Sequence, residues 1–341
     1  PVVLDIGSGS GILSLLAARA GASLVVGCEM FGPMAATARE VVECCCKSER
    51  NVFGEELCEI RILHCRSNAL KVGVKGGLEE RADVLVTEIF DSALLGEGCI
   101  PAIADACARL LKPSASLIPH AAAVFGAIVT DTPSSSLLPS LRSPPPPPSP
   151  LPDPARREWS ERCAGGGGGG VGIPIHAAQL APFVQVLSKP TNLFEVKFRT
   201  TSPPAPSFGM IEAEATEDCG GRDGGGVLVW WELYLAKGIT YTTTPRRPFH
   251  FGEPEAVWQD HWTQVLYPFS SPLPLSLPTS TYNIHYALGS VKFLLDSVPL
   301  EEGGGACVCG LHTLLHSPLR LSIMTRPSRL RALYLALRRI F

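Results

Sequence analysis

Pro1-Val2-Val3-Leu4-Asp5-Ile6-Gly7-Ser8-Gly9-Ser10-Gly11 opens the chain and decides its fold class. Pro1 to Ile6 reads as a short buried strand, Gly7 to Gly11 as a glycine turn, and Ile12 to Ala20 as an apolar helix. A second strand, Ser23 to Cys28, ends on Glu29. This is the start of a nucleotide-binding βαβ unit. The glycines let backbone approach a ligand closely, and an acid at the end of the second strand can accept both ribose hydroxyls. The turn departs from the dinucleotide fingerprint: Ile12 stands where that pattern has Gly or Ala, which speaks against a nicotinamide-dependent dehydrogenase.

Phe31 to Lys47 has helical spacing and covers the sheet. Glu59 to Cys65 reads as a strand with Arg66-Ser67-Asn68 at its end, where a polar side chain serves either as an ordinary loop residue or as a reader of a base edge. Ala82 to Glu88 is a further strand, and Ile100 to Leu111 a helix stopped near Lys112-Pro113. Between these two lies Thr87-Glu88-Ile89-Phe90-Asp91-Ser92-Ala93-Leu94-Leu95-Gly96-Glu97-Gly98. It leaves the carboxyl edge of the sheet, where α/β proteins bind ligands. Fully extended, the nine residues from Glu88 to Glu97 would span roughly 30 Å. Gly96 and Gly98 let the chain fold back so that both carboxylates can face one pocket. Two carboxylates there repel unless a cation sits between them, and a guanidinium fork suits that place. The alternative is a strand-end Glu and a solvated loop Glu.

The 341 residues are enough for two domains. A formal net charge of -3 gives no electrostatic case for direct nucleic-acid binding. Twelve cysteines include the run Cys44-Cys45-Cys46, unlike a disulfide framework, so a reducing compartment (cytoplasm and nucleus) is expected. The longest apolar stretch, Ile12 to Gly27, is broken by Arg19 and too short to span a bilayer, so no membrane partner is expected. The chain starts inside a strand, and a fragment of a longer protein is expected.

Ser116 to Ala127 turns toward alternating β residues, which places a domain boundary near residue 119. A Pro/Gly-rich insert at 133–170, with Pro144 to Pro148 as polyproline II and Gly165 to Gly170 as a linker, has too little apolar content to pack. Order returns at Ile173. Phe194–Phe198, Val227–Leu235, Thr263–Tyr267 and Thr281–Leu295 read as strands of a barrel spanning 120–300. Trp258-Gln259-Asp260-His261-Trp262 interrupts them; Asp260 could fix the imidazole tautomer of a site histidine, or His261 could sit at a core edge. In 301–341, Cys307 and Cys309 with His312 and His316 are candidate structural zinc ligands, although Cys-x-Cys is shorter than the usual finger spacing. Arg329 to Phe341 is a basic amphipathic helix.

The motif Leu4 to Gly11, the acid Glu29, the Glu88/Glu97 loop and Asp260-His261-Trp262, in this order, resemble the protein arginine N-methyltransferases. The wording Glu-Ile-Phe-Asp-Ser-Ala-Leu-Leu-Gly-Glu-Gly, the Trp230-Trp231 strand and the Cys307-Val308-Cys309 tail are most like the tandem-module, monomethylating (type III) branch. The resemblance implies a seven-stranded Rossmann-like sheet over 1–119 that binds S-adenosyl-L-methionine, a β-barrel over 120–300, and the start of a second module over 301–341. It implies that Asp5, Gly7, Ser8, Gly9, Gly11, Glu29, Ser67 and Asn68 contact the cofactor, and that Glu88, Glu97 and His261 act on the substrate arginine. It also implies Arg-Gly-rich or histone protein substrates, monomethylarginine as product, and dimer-like pairing with a second module or chain. A small-molecule methyltransferase shares the glycine turn and Glu29 but not the paired-Glu loop. A catalytically degenerate scaffold module is the non-enzymatic alternative.

Overall fold

In the computed structural model the residues described are 1–47, 54, 56–138, 172–199, 207–214, 225–245, 262–269, 281–288 and 293–296. The polyproline and polyglycine tracts, Asp260, His261, Cys307, Cys309, His312, His316 and the basic tail lie outside them.

Strands β1 (Val2–Ile6), β2 (Leu24–Glu29), β3 (Glu59–His64), β4 (Ala82–Thr87) and β5 (Leu111–Ile118) form a parallel sheet in the order β3-β2-β1-β4-β5. All five residues of β1 are buried, as a central parallel strand covered on both faces requires. Helices α1 (Ile12–Arg19) and α2 (Gly32–Cys46) follow the first two strands, and α3 (Cys99–Arg109) precedes β5. Helix α2 buries Ala35, Ala38 and Val42, a three-to-four-residue repeat whose small side chains allow close packing on the sheet.

The expected seven strands are five here, among the described residues. The chain leaves this sheet after β5 at a cis Ile118–Pro119 bond, and the next strand, β6 (Ala121–Asp131), joins a different sheet. Helix α3 ends at Arg109, two residues before the expected Leu111, and Lys112-Pro113 lie inside β5, on the edge of the sheet. There the register skips between Ala82↔Leu111 and Val84↔Ser116, so Pro113 removes no regular ladder bond.

The second sheet is antiparallel and runs β7 (Ile173–Ile175), β13 (Gln264–Pro268), β11 (Gly225–Ala236), β6, β8 (Val184–Val186), with β12 (Ile239–Thr242) on β11 and β9 (Thr191–Lys197) on β6. It is the barrel side of a Rossmann-plus-barrel fold. Strand β11 pairs with β6 from Gly225↔Thr130 to Tyr234↔Ala121. Its odd residues Val227, Val229, Trp231 and Leu233 join the main core, which continues into Leu4, Phe90 and Leu94 of the first half. Its even residue Leu228 packs the other way, with Leu180 of the short helix α4 (Ala177–Leu180) and with Leu138. Burial on both faces explains why β11 reads as one continuous apolar run.

Two expectations for this half change. The insert begins later than residue 133: Leu138 is fully buried, and its N–H donates to Asp131 at 3.1 Å, with Ser135 Oγ donating to the same carboxylate. Thr281–Leu295 does not extend the β6–β11 sheet. Strands β14 (Thr281–Leu288) and β15 (Phe293–Asp296) pair with β10 (Ser207–Glu214) in a separate three-stranded antiparallel sheet.

Candidate active site

Register places three sequence-predicted groups side by side at the carboxyl edge. Ile6 faces Cys28 on one side and Thr87 on the other, so the residues that follow, Gly7, Glu29 and Glu88, leave adjacent strands. The chain runs outward from β1 in both directions, β2-β3 one way and β4-β5 the other, which opens the crevice where α/β folds hold ligands.

The glycine turn closes tightly. Gly7 and Ser8 N–H groups both donate to Cys28 O at 3.0 and 3.1 Å, and Gly11 N–H to Ser8 O at 2.7 Å. Gly7 sits at φ 75°, where a Cβ would come within 2.5 Å of Ile89 Cγ2 and 3.7 Å of Glu88 O. The glycine turn therefore touches the carboxylate loop directly. Glu29 accepts the Gly9 N–H at 3.1 Å on Oε2 and the Phe31 N–H at 2.8 Å on Oε1, which fixes its carboxylate and leaves lone pairs for hydroxyls. Met30 and Phe31 beside it are exposed at 61% and 60%, an apolar surface that the sequence reading did not single out.

Asp5 is fully buried on β1. Ser14 Oγ donates to its Oδ2 at 2.6 Å, while its Oδ1 and the buried Ser8 Oγ have no hydrogen-bond partner. Burial pushes the Asp5 carboxyl up to about 6, against the Ser14 hydrogen bonds, and the Glu29 charge adds to the rise. Two orphaned polar atoms beside a glycine turn are what a polar ligand would satisfy. A Cβ on Gly9 would meet nothing nearer than Gly7 O at 3.9 Å, so space beside the turn is open to a ligand. Ser67 and Asn68 fall on a short 3-10 turn, Ser67–Ala69, after β3 on the same edge. Arg109 from α3 ties this turn down by donating to Leu70 O at 2.9 Å and Ser67 O at 3.4 Å.

The loop from Glu88 to Glu97 reverses through two turns, with Leu94 N–H donating to Asp91 O at 2.8 Å and Gly98 N–H to Leu95 O at 3.2 Å. Glu88 is half-buried and Glu97 exposed. The organiser is Asp91, which the sequence reading missed. Its Oδ1 accepts the Ala93 N–H at 3.1 Å and the Gly96 N–H at 3.0 Å. Burial pushes the Asp91 carboxyl up, and the Gly96 and Ala93 N–H groups pull it back. An Asp followed by a turn ending in Gly is an Asx signal readable in the sequence. Leu94, a non-glycine residue at φ 72°, and Leu95 are both fully buried and pin the hairpin to the core.

The barrel grips the loop from outside. Trp262 Nε1–H donates to Phe90 O at 2.9 Å, Trp231 Nε1–H to Ser92 O at 3.1 Å, and Ser92 and Thr263 hydroxyls lie 3.3 Å apart. His261 itself lies outside the described residues, but Trp262 beside it touches the carboxylate loop.

No protein-family model matches the chain. Among curated proteins it is 32% identical over 331 residues to protein arginine N-methyltransferase 7 of Aedes aegypti, covering 91% of this chain and 45% of that protein. It is 29% identical to the enzyme of that name from Danio rerio, covering 93% of this chain and 45% of that protein. The chain is homologous to the protein arginine N-methyltransferases. It spans a little under half the length of these curated relatives. Two solved arginine methyltransferases share its fold, each covering 84% of this chain. One is the Trypanosoma brucei PRMT1 enzyme-prozyme heterotetrameric complex with AdoHcy, at TM-score 0.56, 18% identity and 77% of that chain. The other is Arabidopsis thaliana protein arginine methyltransferase 10, at 0.55, 19% and 78%.

In this arginine methyltransferase homologue the glycine turn, Glu29 and the Glu88 loop share one strand edge. A groove of about 380 Å³ between α2 and β3, lined by Arg39, Cys46 and Cys58 among others, opens at the amino end of β3, away from that edge. Among the described residues no cluster of three or more His, Cys, Asp or Glu is placed to hold a metal, and no helix is long and apolar enough to cross a membrane.

Proposed function

We propose that this chain is the catalytic module of a protein-arginine N-methyltransferase, and that it transfers one methyl group from S-adenosyl-L-methionine to a terminal guanidinium nitrogen of a substrate arginine. The observation that carries the reading is the close approach of the Ile89 side chain to Gly7, which leaves no room for a Cβ there: the ligand turn and the start of the carboxylate loop lie against each other. The cofactor supplies a methyl group on a sulfonium. Asp5 and Ser8, with their unsatisfied oxygens, would meet its polar amino-acid end, Glu29 its ribose hydroxyls, and Ser67 and Asn68 its base.

Arginine stays protonated, and resonance spreads its nitrogen lone pairs, so it is a poor nucleophile. Glu88 and Glu97 hold the guanidinium as paired acceptors and draw its positive charge toward themselves. Electron density then gathers on the nitrogen presented for transfer, and the spent proton passes to solvent. The chain contributes position and fixed negative charge rather than a covalent intermediate. The 120–300 region would form the other wall of the substrate cleft, with His261 beside Trp262. Histone-like or Arg-Gly-rich proteins would be the substrates, in the cytoplasm and nucleus. Pairing with a second module or another chain completes the proposal.

The test is methyl transfer to an Arg-Gly-repeat peptide and to its lysine-substituted twin, read by mass spectrometry. Arginine should gain a single methyl and lysine none. Equal labelling of both peptides, or none of either, would overturn the assignment.

A further inference from the structure

The carboxylate loop is held from the barrel by two indole N–H groups on alternate carbonyls. Trp262 caps Phe90 O, and Trp231 caps Ser92 O. Between those carbonyls stands Asp91, whose side chain ties Ala93 and Gly96. The loop backbone is thus fastened twice from outside and twice from within. Of the outside fasteners, Trp231 is the more rigidly seated. It is fully buried in the middle of β11, and its main chain is flanked by Thr243, whose Oγ1 accepts the Trp231 N–H at 2.9 Å and donates to Trp231 O at 3.0 Å. Its ring meets Trp262 edge-on at 5.2 Å and Tyr241 at 6.1 Å, and Tyr241 meets Trp262 edge-on at 5.1 Å. Three aromatic rings therefore hold one N–H aimed at one carbonyl, 139 residues away in the chain.

A hydrophobic core needs no such polar aim. Any large apolar ring at 231 would fill the space, whereas an indole also supplies a directed donor to the part-buried Ser92 carbonyl. Trp230 gives the contrast. It is the same residue type, nearly as buried, one position along the strand on the opposite face, and it stacks on Phe125 at 6.3 Å.

We propose that Trp231 is a positioning residue for the arginine site: its indole N–H, by capping Ser92 O, fixes the loop that carries Glu88 and Glu97 in the geometry for transfer. The role rests on the proposed function for its kinetic consequence but not for its structural one. Rate in such a site falls steeply with small misplacement, by up to about a hundredfold for roughly 1 Å.

The experiment compares Trp231→Phe with Trp230→Phe in the full chain. Amide hydrogen exchange follows the peptide covering Ser92–Gly96, titration gives affinity for S-adenosylhomocysteine, and steady-state kinetics give kcat and KM on an arginine peptide. For Trp231→Phe the expected result is faster exchange in the loop, kcat down roughly tenfold to a hundredfold, and cofactor-product affinity within about twofold of wild type. Trp230→Phe should change neither exchange nor kcat by more than about twofold. Equal losses in both variants would mean general weakening of the barrel and overturn the proposal, as would unchanged loop exchange in Trp231→Phe. If the wild type transfers no methyl to arginine, the enzymatic reading fails, and the exchange comparison still decides whether Trp231 holds the loop.

Discussion

Glu88→Gln is expected to lower turnover on an arginine peptide by roughly a hundredfold or more, the scale of removing one preorganised electrostatic group. Affinity for S-adenosylhomocysteine should stay within about twofold. The substitution keeps the shape of the side chain and removes its charge. Glu88 follows Thr87, whose hydroxyl donates to Ile6 O at 2.7 Å, so the start of the loop is anchored independently of the carboxylate. It is the Ile89 side chain that lies against Gly7, and Gln at position 88 leaves it in place. Chemistry should therefore fail while the cofactor side of the wall stands. Titration and single-turnover transfer on the same preparation separate the two, and a variant that turns over at the wild-type rate would remove Glu88 from the mechanism.

Gly96→Ala should be nearly as damaging, for a reason that lies wholly in the loop. A Cβ at this position would fall 2.0 Å from Asp91 Oδ2 and 2.7 Å from its Cγ, while the Gly96 N–H is bonded to Oδ1 of the same carboxylate. The methyl group and the Asp91 tie cannot coexist. Moving Asp91 aside breaks both of its side-chain ties to the turn, at about 1 kcal/mol for each hydrogen bond lost. Leu94 adds to this. Its left-handed backbone costs roughly 1–2 kcal/mol and persists only while the turn around it is held. The variant should lose kcat by at least about tenfold and melt a few degrees lower, with cofactor-product binding retained, because Glu29 and Asp5 are untouched. Unchanged kcat would mean that the Asp91 tie does not set the position of Glu97.

Much of this arrangement was legible in the residues. Val2–Ile6 and Leu24–Glu29 are mostly apolar, each with one interruption (Asp5 and Gly27), and a central parallel strand has few other ways to look. The Glu88–Gly98 loop announced itself because two glycines flank its second acid. Lys112-Pro113 marked the end of α3 to within a few residues, but not the strand that follows, because an edge strand with a register skip tolerates the proline. Pro133–Leu138 misled because its composition is that of a linker, while its order comes from Asp131 two residues earlier and from a core cluster supplied by distant strands. The five-strand count could not be read locally, since whether β6 continues the first sheet depends on its partner β11, about a hundred residues on.

The grip of the barrel on the carboxylate loop was the least legible part. Trp231 and Trp262 reach Ser92 and Phe90 across 139 and 172 positions, and no periodicity or spacing encodes an indole aimed at a carbonyl that far away. Asp91 sits at the other extreme, with partners only two and five residues away. Local hydrogen bonds and sheet membership are written in neighbouring residues. Attachment between the two halves is written only in the folded chain.

The central claim is that Glu88 and Glu97 together form a clamp for a cation. The most direct measurement is calorimetric binding of two peptides differing at one residue, arginine in one and its neutral urea isostere citrulline in the other, with S-adenosylhomocysteine present. The arginine peptide should bind at least about tenfold more tightly, as expected for charge-assisted pairing, and the preference should collapse in the Glu88→Gln, Glu97→Gln double variant. Equal affinity for the two peptides in the wild-type protein would contradict the clamp.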